Sequence, residues 1–204
     1  DGATGEILKS LKELGFEDNT IVIFSSDNGP VYDDGYHDGT TVLTSTKEVD
    51  RGHDGSGIYR GGKYQIYEGG TRVPFIVKWP AKIKPGKSSA MMNQIDFLAS
   101  FAELLDIKLQ PNQAKDSRSV LSSLIGEDQK GVQVMVEEAG MLALRDGNWK
   151  FIPAHRKRKP QLYNLETDPS EQKNVAKKHP KRVEAMQTKL NAIRNAKNGV
   201  RGLQ

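Results

Sequence analysis

Cysteine is absent from the 204 residues of the chain, and so are long apolar runs. Without cysteine, the sequence holds no disulfide, no thiolate metal ligand and no cysteine nucleophile. No apolar run approaches the roughly 20 residues with which a helix crosses a bilayer, so we expect no membrane span. Aromatic residues make up only 7% of the chain, whereas charged residues make up 27%. This balance is typical of a globular protein with a polar surface.

The formal net charge of +4 is modest and unevenly distributed. The chain becomes clearly basic from Lys150 onward, and this part includes a run of basic residues at 155–159. A modest positive excess suits an anionic partner without requiring one. Since basic runs of this kind are usually solvated loops, we do not expect the chain to bind nucleic acid.

Apolar periodicity predicts an α/β region in the first part of the chain. A helix over 1–14 precedes a strand over 20–25, and a strand at 75–79 precedes a helix over 93–105. The positions expected to face inward on the second helix are Ile95, Leu98, Ala102 and Leu105. A helix that feeds a buried strand is normally the second half of a β-α-β unit. We therefore expect this chain to be the C-terminal part of a longer protein.

Short strands replace this pattern from residue 126. The predicted strands lie at 132–136, 141–144, 149–152 and 162–165. The Asp-Gly pair at 146–147 predicts a hairpin between the second and third of them. A helix over 180–196 ends the pattern, with one apolar face made of Val183, Met186, Leu190 and Ile193. We expect two domains, 1–125 and 126–204.

The segment 20–30 joins a strand directly to a polar turn. Five of its first six residues are apolar or β-branched, which predicts a strand buried on both faces. The turn places the carboxylate of Asp27 and the amide of Asn28 at the carboxyl end of the strand, where open α/β sheets bind ligands. These oxygens suit a hard cation, although an ordinary Asx turn explains the same residues.

A long glycine-rich stretch over 31–62 shows no apolar period and is typical of a functional or disordered loop. Part of it, beginning at Asp34, resembles an EF-hand loop only faintly. Tyr36 and Ser45 stand at two of the ligand positions, so we expect no such site. Residues 57–63 fit the pattern G-x-x-x-x-G-K. Because Tyr64 replaces the Mg²⁺-binding hydroxyl and no strand leads in, we expect no nucleotide P-loop.

Several motifs follow one another in a specific order. They are Ser-Asp-Asn-Gly-Pro at 26–30, Arg-Gly-Gly-Lys at 60–63, Glu-Gly-Gly-Thr-Arg-Val-Pro at 68–74, Asn-Gln-Ile-Asp-Phe-Leu at 93–98, Leu-Arg-Asp-Gly-Asn-Trp-Lys at 144–150, Leu-Tyr-Asn-Leu at 162–165 and Asp-Pro-Ser-Glu at 168–171. In this order the chain resembles the formylglycine-dependent sulfatases of the alkaline phosphatase superfamily over nearly its whole length. It looks most like the bacterial arylsulfatase A and N-acetylgalactosamine-6-sulfatase types, and residues 29–36 support that branch.

The resemblance implies an α/β fold. It would form part of an alkaline-phosphatase-like mixed sheet flanked by helices, followed by a small C-terminal antiparallel sheet packed with one helix. It also implies that Asp27 and Asn28 are two ligands of a divalent cation, usually Ca²⁺. Lys63 corresponds to the lysine that contacts a sulfate oxygen, and His53 is expected to contact the leaving-group oxygen or sugar hydroxyls.

Structural explanations remain open for some of these residues. Lys63 is also explained as a solvated loop lysine, and His53 as an ordinary loop histidine. We expect Glu68 and Arg72 to be structural, forming an ion pair that fixes the glycine-rich turn between them.

The chain departs from the family in one essential respect. The family nucleophile is a Cys or Ser in Cys/Ser-x-Pro-Ser-Arg that is oxidised to formylglycine, and none of the nine prolines here has Cys or Ser two residues before it. The paired aspartates that complete the cation site are missing too. We therefore expect this chain alone to hydrolyse nothing and to bind Ca²⁺ weakly. The resemblance implies that the missing N-terminal half is its partner.

The implied substrate is a sulfated carbohydrate or an aryl sulfate, and the implied location is the periplasm or the extracellular space. A phosphatase or phosphodiesterase of the same superfamily is an alternative. A non-catalytic module that binds sulfated glycans through its basic C-terminal face is another.

Overall fold

The structure, a computed structural model, describes residues 2–31, 53–197 and 199. These residues form two compact units, each assembled from separate stretches of chain. The first unit contains 2–25, 74–132, 197 and 199, and the second contains 26–31, 53–73 and 133–196. The division into continuous domains 1–125 and 126–204 stays a prediction.

The elements follow the α/β-then-β order that the sequence predicts. In chain order they are α1 (Gly2–Glu13), β1 (Val22–Ser25), α2 (Glu68–Thr71), β2 (Phe75–Lys78), α3 (Phe97–Leu104), α4 (Leu121–Leu124), β3 (Val134–Glu138), β4 (Leu142–Asp146), β5 (Trp149–Ile152), β6 (Gln161–Asn164) and α5 (Pro180–Asn195). In the part of the chain that the structure describes, no helix combines the length and apolar character that a membrane crossing requires.

The first unit contains a two-stranded antiparallel sheet in which β1 pairs with β2, with Phe24 opposite Ile76. No residue of β1 is buried, and Phe24 and Ile76 are 47% and 61% exposed. The prediction of a strand buried on both faces is therefore wrong for this chain. The composition of a strand reports its preference for burial, but it does not report what is present to cover it.

The burial of α3 also differs from the prediction. Ala102 is buried as expected, but Ile95, Leu98 and Leu105 are more than half exposed. A 3₁₀ turn at Gln94–Asp96 precedes the helix. Apolar spacing gives the face that a helix can bury, but it does not report whether anything covers that face. The buried positions of the helix are small residues, and Ser100 Oγ accepts a hydrogen bond of 2.9 Å from the backbone N–H of Val120.

The second unit contains a four-stranded antiparallel sheet in the order β3-β4-β5-β6. The predicted hairpin joins β4 to β5 at the expected place, with Asp146 opposite Trp149. Helix α5 packs on this sheet through its predicted apolar face. The core formed there contains Leu144, Phe151, Leu162, Met186 and Leu190. The predicted small antiparallel sheet with one helix is confirmed.

Replacing Leu190 by alanine should remove a central contact between α5 and the sheet, because this side chain is only 1% exposed. We expect the free energy of unfolding to fall by about 2–5 kcal/mol, measured by urea denaturation. Glu184→Ala, on the exposed side of the same helix, should change it by less than about 0.5 kcal/mol. Equal effects of the two substitutions would contradict this assignment of the core.

Candidate active site

The turn that follows β1 presents two oxygen donors. The carboxylate of Asp27 is exposed. Its Oδ1 accepts a long hydrogen bond of 3.4 Å from Ser26 Oγ. Asn28 Nδ2 donates to the backbone carbonyl of Gly29 at 2.9 Å, so the amide oxygen of Asn28 is left to accept. One charged and one neutral oxygen therefore stand next to each other on this turn.

Close backbone packing joins this turn to α2. The N–H of Gly29 donates to the carbonyl of Gly70 at 3.0 Å. A Cβ on Gly29 would fall 3.0 Å from Gly70 Cα and closer still to the carbonyl group of Gly69. Only glycine fits at this position, so the approach of the two backbones requires Gly29.

Lys63 lies beside the same turn. Its backbone N–H donates to the carbonyl of Pro30 at 2.9 Å. Its half-buried side chain places the ammonium nitrogen 5.0 Å from the centroid of the Tyr64 ring. The structure therefore brings Lys63 and the turn that carries Asp27 into neighbouring positions, although they are far apart in the sequence.

His53 begins the described stretch that leads to Lys63, and its side chain is exposed. Two residues later, a Cβ on Gly55 would lie 2.9 Å from Pro30 Cβ, so this stretch also meets the turn at Pro30. Of the glycine-rich stretch, 32–52 lie outside the described residues. The residues that faintly resemble an EF-hand loop lie within 32–52. So do most of residues 29–36, on which the choice of sulfatase branch partly rests.

The oxygens on the turn fit a hard cation only in part. Ca²⁺ takes six to eight oxygen ligands, and Asp27 and Asn28 supply two of the required kind. Within residues 2–31 and 53–197, no group of three or more His, Asp or Glu side chains could hold a metal ion. Asp27 and Asn28 thus suit one side of a cation site, and the remaining ligands have to come from elsewhere.

A buried group of charges behind α2 was missed by the sequence reasoning. Lys150 Nζ, which is fully buried, lies 3.0 Å from Glu68 Oε1, 2.7 Å from Glu137 Oε2 and 3.7 Å from Glu171 Oε1. Arg145 Nη1 donates to both carboxylate oxygens of Glu68, at 3.1 and 3.0 Å. These five residues are called the Lys150 cluster below.

The Lys150 cluster holds α2 at both of its ends. Glu171 Oε2 accepts from the backbone N–H of Glu68 at 2.6 Å, and Glu137 Oε2 accepts from Thr71 Oγ1 at 2.9 Å. The expected ion pair of Glu68 with Arg72 is present at 3.5 Å, but the Arg72 side chain is 55% exposed. Most of the restraint on α2 therefore comes from the buried partners of Glu68.

Burial and charge act against each other in this cluster. Burial disfavours the charged form of Lys150, yet the carboxylates of Glu137, Glu68 and Glu171 raise its pKa above the ordinary value. Burial also opposes ionisation of Glu68, but Lys150 and Arg145 lower its pKa overall. For Glu171 burial prevails and raises the pKa from 4.5 to about 7. Among the described residues, Glu171 Oε1 has no hydrogen-bond partner, in keeping with a carboxyl group that readily holds a proton.

The charge of Lys150 should be essential for stability. Lys150→Met leaves Glu68 and Glu137 buried without their main cation, so we expect a loss of about 3–5 kcal/mol in the free energy of unfolding. Arg72→Ala removes an exposed partner of the same Glu68 and should cost less than about 1 kcal/mol. Urea denaturation measures both values. Similar losses for the two variants would show that burial of the cluster is unimportant.

The stability of the chain should depend on the protonation of Glu171. Between its ordinary pKa of 4.5 and its folded pKa of about 7, the folded state binds a proton that the unfolded state has released. Stability from this group is therefore lost as the pH rises through that window, with a slope of up to about 1.4 kcal/mol per pH unit. Glu171→Gln should remove this part of the dependence. Parallel stability profiles of the two proteins between about pH 4 and pH 8 would disprove the shift.

Comparison with known proteins identifies the family. Residues 1–107 match the Sulfatase family. Residues 60–196 match the family described as N-sulphoglucosamine sulphohydrolase, C-terminal. The chain is 45% identical to an N-acetylgalactosamine-6-O-sulfatase of Bacteroides thetaiotaomicron, with 95% of this chain and 40% of that protein covered. It is 29% identical to human arylsulfatase A, with 86% and 37% covered.

A solved structure gives the same result for the fold. It comes from work on glycosaminoglycan metabolism by Bacteroides thetaiotaomicron, is 45% identical to this chain and superposes with a TM-score of 0.85. The match covers 94% of this chain and 42% of that one. The chain thus spans about two fifths of the length of the curated relatives it matches. Both the α/β fold and the likeness to these two types of sulfatase are confirmed, and the chain belongs to the sulfatase family.

Proposed function

We propose that this chain is the C-terminal part of a sulfatase that hydrolyses sulfate monoesters of sulfated sugars. The observation that carries the proposal is the meeting of three stretches at Gly29 and Pro30, which brings the turn with Asp27, the stretch that begins with His53, and Lys63 into one region. The name of the 45% identical relative supports N-acetylgalactosamine 6-sulfate as the sulfated sugar of the substrate.

Lys63 carries the anion-binding role in this proposal. Its ammonium group is a compact positive charge suited to a sulfate oxygen, and its backbone N–H bonds to the turn at Pro30. Negative charge grows on the ester oxygens as the S–O bond breaks, so a cation fixed there stabilises the transition state. His53 is assigned to the leaving-group oxygen or a sugar hydroxyl, for which an exposed imidazole supplies a hydrogen-bond donor or acceptor.

Asp27 and Asn28 are assigned to one side of a Ca²⁺ site. When bound, the ion supplies positive charge close to the sulfate. The two residues orient it, because the turn is fixed by the backbone hydrogen bond between Gly29 and Gly70. The remaining ligands and the formylglycine nucleophile are assigned to a segment upstream of this chain, and an exported or periplasmic location is proposed for the whole protein.

Lys63→Ala, made in the longer protein that contains this chain, should lower kcat/KM for N-acetylgalactosamine 6-sulfate by at least about 100-fold, the loss typical for one transition-state donor. Sulfate release measures the rate. Lys84→Ala, an exposed lysine in the first unit, is the matched control and should retain the wild-type rate. A Lys63→Ala variant within about threefold of wild type would remove the basis of the assignment.

Two further arms of the assay separate the alternatives. The isolated 204-residue chain should release no sulfate, since it lacks the nucleophile motif. Turnover by this chain would overturn the proposal that the nucleophile lies in an upstream segment. Faster hydrolysis of a phosphate monoester than of the sulfate ester by the longer protein would assign it to the phosphatases of the superfamily.

A further inference from the structure

A cavity of about 560 Å³ is lined in part by Tyr64, the residue that follows Lys63. The centroid of the Tyr64 ring lies 5.0 Å from the Lys63 ammonium nitrogen, so Tyr64 connects the cavity to Lys63. The volume falls within the roughly 300–1,000 Å³ that is usual for small-molecule sites. A second cavity of about 480 Å³ adjoins the first, and both are lined by Ala139, Met141 and Arg158.

The lining of these joined cavities carries charge of one sign. No aspartate or glutamate is among the described residues that line either cavity. The basic side chains there are Arg60, His155, Arg156, Lys157 and Arg158. Such a surface attracts an anionic ligand and provides no carboxylate to repel it.

Part of the cavity wall is held in a fixed arrangement. The Arg60 guanidinium stacks on Tyr67, 3.8 Å from the ring centroid, and donates to the backbone carbonyl of Glu171 at 3.0 Å. Gln161 Oε1 accepts from the hydroxyls of Tyr67 and Tyr163, at 3.1 and 2.6 Å. The amide N–H₂ of Gln161 thus remains as a donor at the cavity wall.

Two other lining residues are available to a ligand. Tyr64 is 62% exposed, so its ring offers a flat apolar face of the kind on which a sugar ring can pack. Arg158 is exposed and has no ion-pair partner within the described stretches. A guanidinium in a cavity lining that holds no described acidic residue suits a carboxylate or a sulfate, which it can bind through two parallel hydrogen bonds.

We propose that the joined cavities bind the sugar next to the sulfated one, and that Arg158 binds an anionic group on that neighbouring sugar. This inference rests on the proposed function of Lys63, which fixes the position of the first sulfate. The anionic group is a uronate carboxylate or a second sulfate, since both have the oxygen geometry that a guanidinium binds. The ligand class is therefore a polyanionic oligosaccharide.

The test measures binding to the 204-residue chain by calorimetry. The three probes are N-acetylgalactosamine 6-sulfate, the same sugar linked to a uronate, and the same sugar linked to a neutral hexose. Arg158→Ala should weaken binding of the uronate disaccharide about tenfold, the loss expected for one charge-assisted hydrogen bond. Binding of the other two probes should not change. A fourth probe, the same sugar linked to a sulfated hexose, tests whether Arg158 binds a sulfate instead of a uronate carboxylate.

Lys159→Ala is the matched control, because Lys159 is an exposed basic neighbour that does not line either cavity. An equal effect of both substitutions would show that binding depends on the overall positive charge and not on Arg158, and it would overturn the proposal. So would failure of the wild-type chain to bind the uronate disaccharide more tightly than the neutral one. The affinity of Arg158→Lys should lie between those of wild type and Arg158→Ala.

The same experiment separates this inference from the proposed function. If Lys63→Ala weakens binding of all three probes while Arg158→Ala affects none, the neighbouring-sugar site is wrong and the proposed sulfate site stands. If Arg158→Ala weakens the uronate disaccharide while Lys63→Ala changes nothing, the sulfate assignment of Lys63 fails. The proposed subsite then loses its reference point and is overturned as well.

Discussion

The ammonium group of Lys150 among three carboxylates is the interaction on which the candidate site depends. A buried ion pair is not by itself a strong source of stability, because desolvation offsets much of the attraction. Its importance here is positional, since the carboxylates that surround Lys150 also accept hydrogen bonds from α2. Helix α2 in turn meets the Asp-Asn-Gly turn through Gly29 and Gly70. The Lys150 cluster and the turn that carries the candidate ligands are thus connected through α2.

The sequence predicts which candidate stretches belong together better than it predicts the burial of the first unit. The order of the motifs indicates Lys63. The turn chemistry indicates Asp27, because a local requirement such as glycine at position 29 is visible in the neighbouring residues of the sequence. The predicted burial of β1 is wrong, and so is that of every predicted inward position at α3 except Ala102, since periodicity does not report which surface will be covered. The Lys150 cluster had one available signal, a lysine between apolar residues of β5. The acidic partners of Lys150 cannot be predicted from the sequence, because no regular spacing relates Lys150 to Glu68 or Glu137.

Backbone hydrogen bonds bring the candidate stretches together. Pro30 accepts from the N–H of Lys63, and Gly29 donates to Gly70. Membership of the sulfatase family explains why this arrangement is present in a chain without its own nucleophile. Under the proposed function, the chain supplies the turn that is assigned to the cation and the lysine that is assigned to the sulfate, and the proposed upstream segment supplies the reacting group.

The cross-strand pair of Phe24 and Ile76 has a practical consequence for handling the protein. These two apolar side chains lie opposite each other on β1 and β2, and both face water to a large extent. Excluded salts such as sulfate and phosphate strengthen the tendency of apolar surface to leave water. Crystallisation from high concentrations of such salts would therefore favour lattices in which this pair lies against a neighbouring copy, whereas polymer precipitants at low salt would leave the pair solvated.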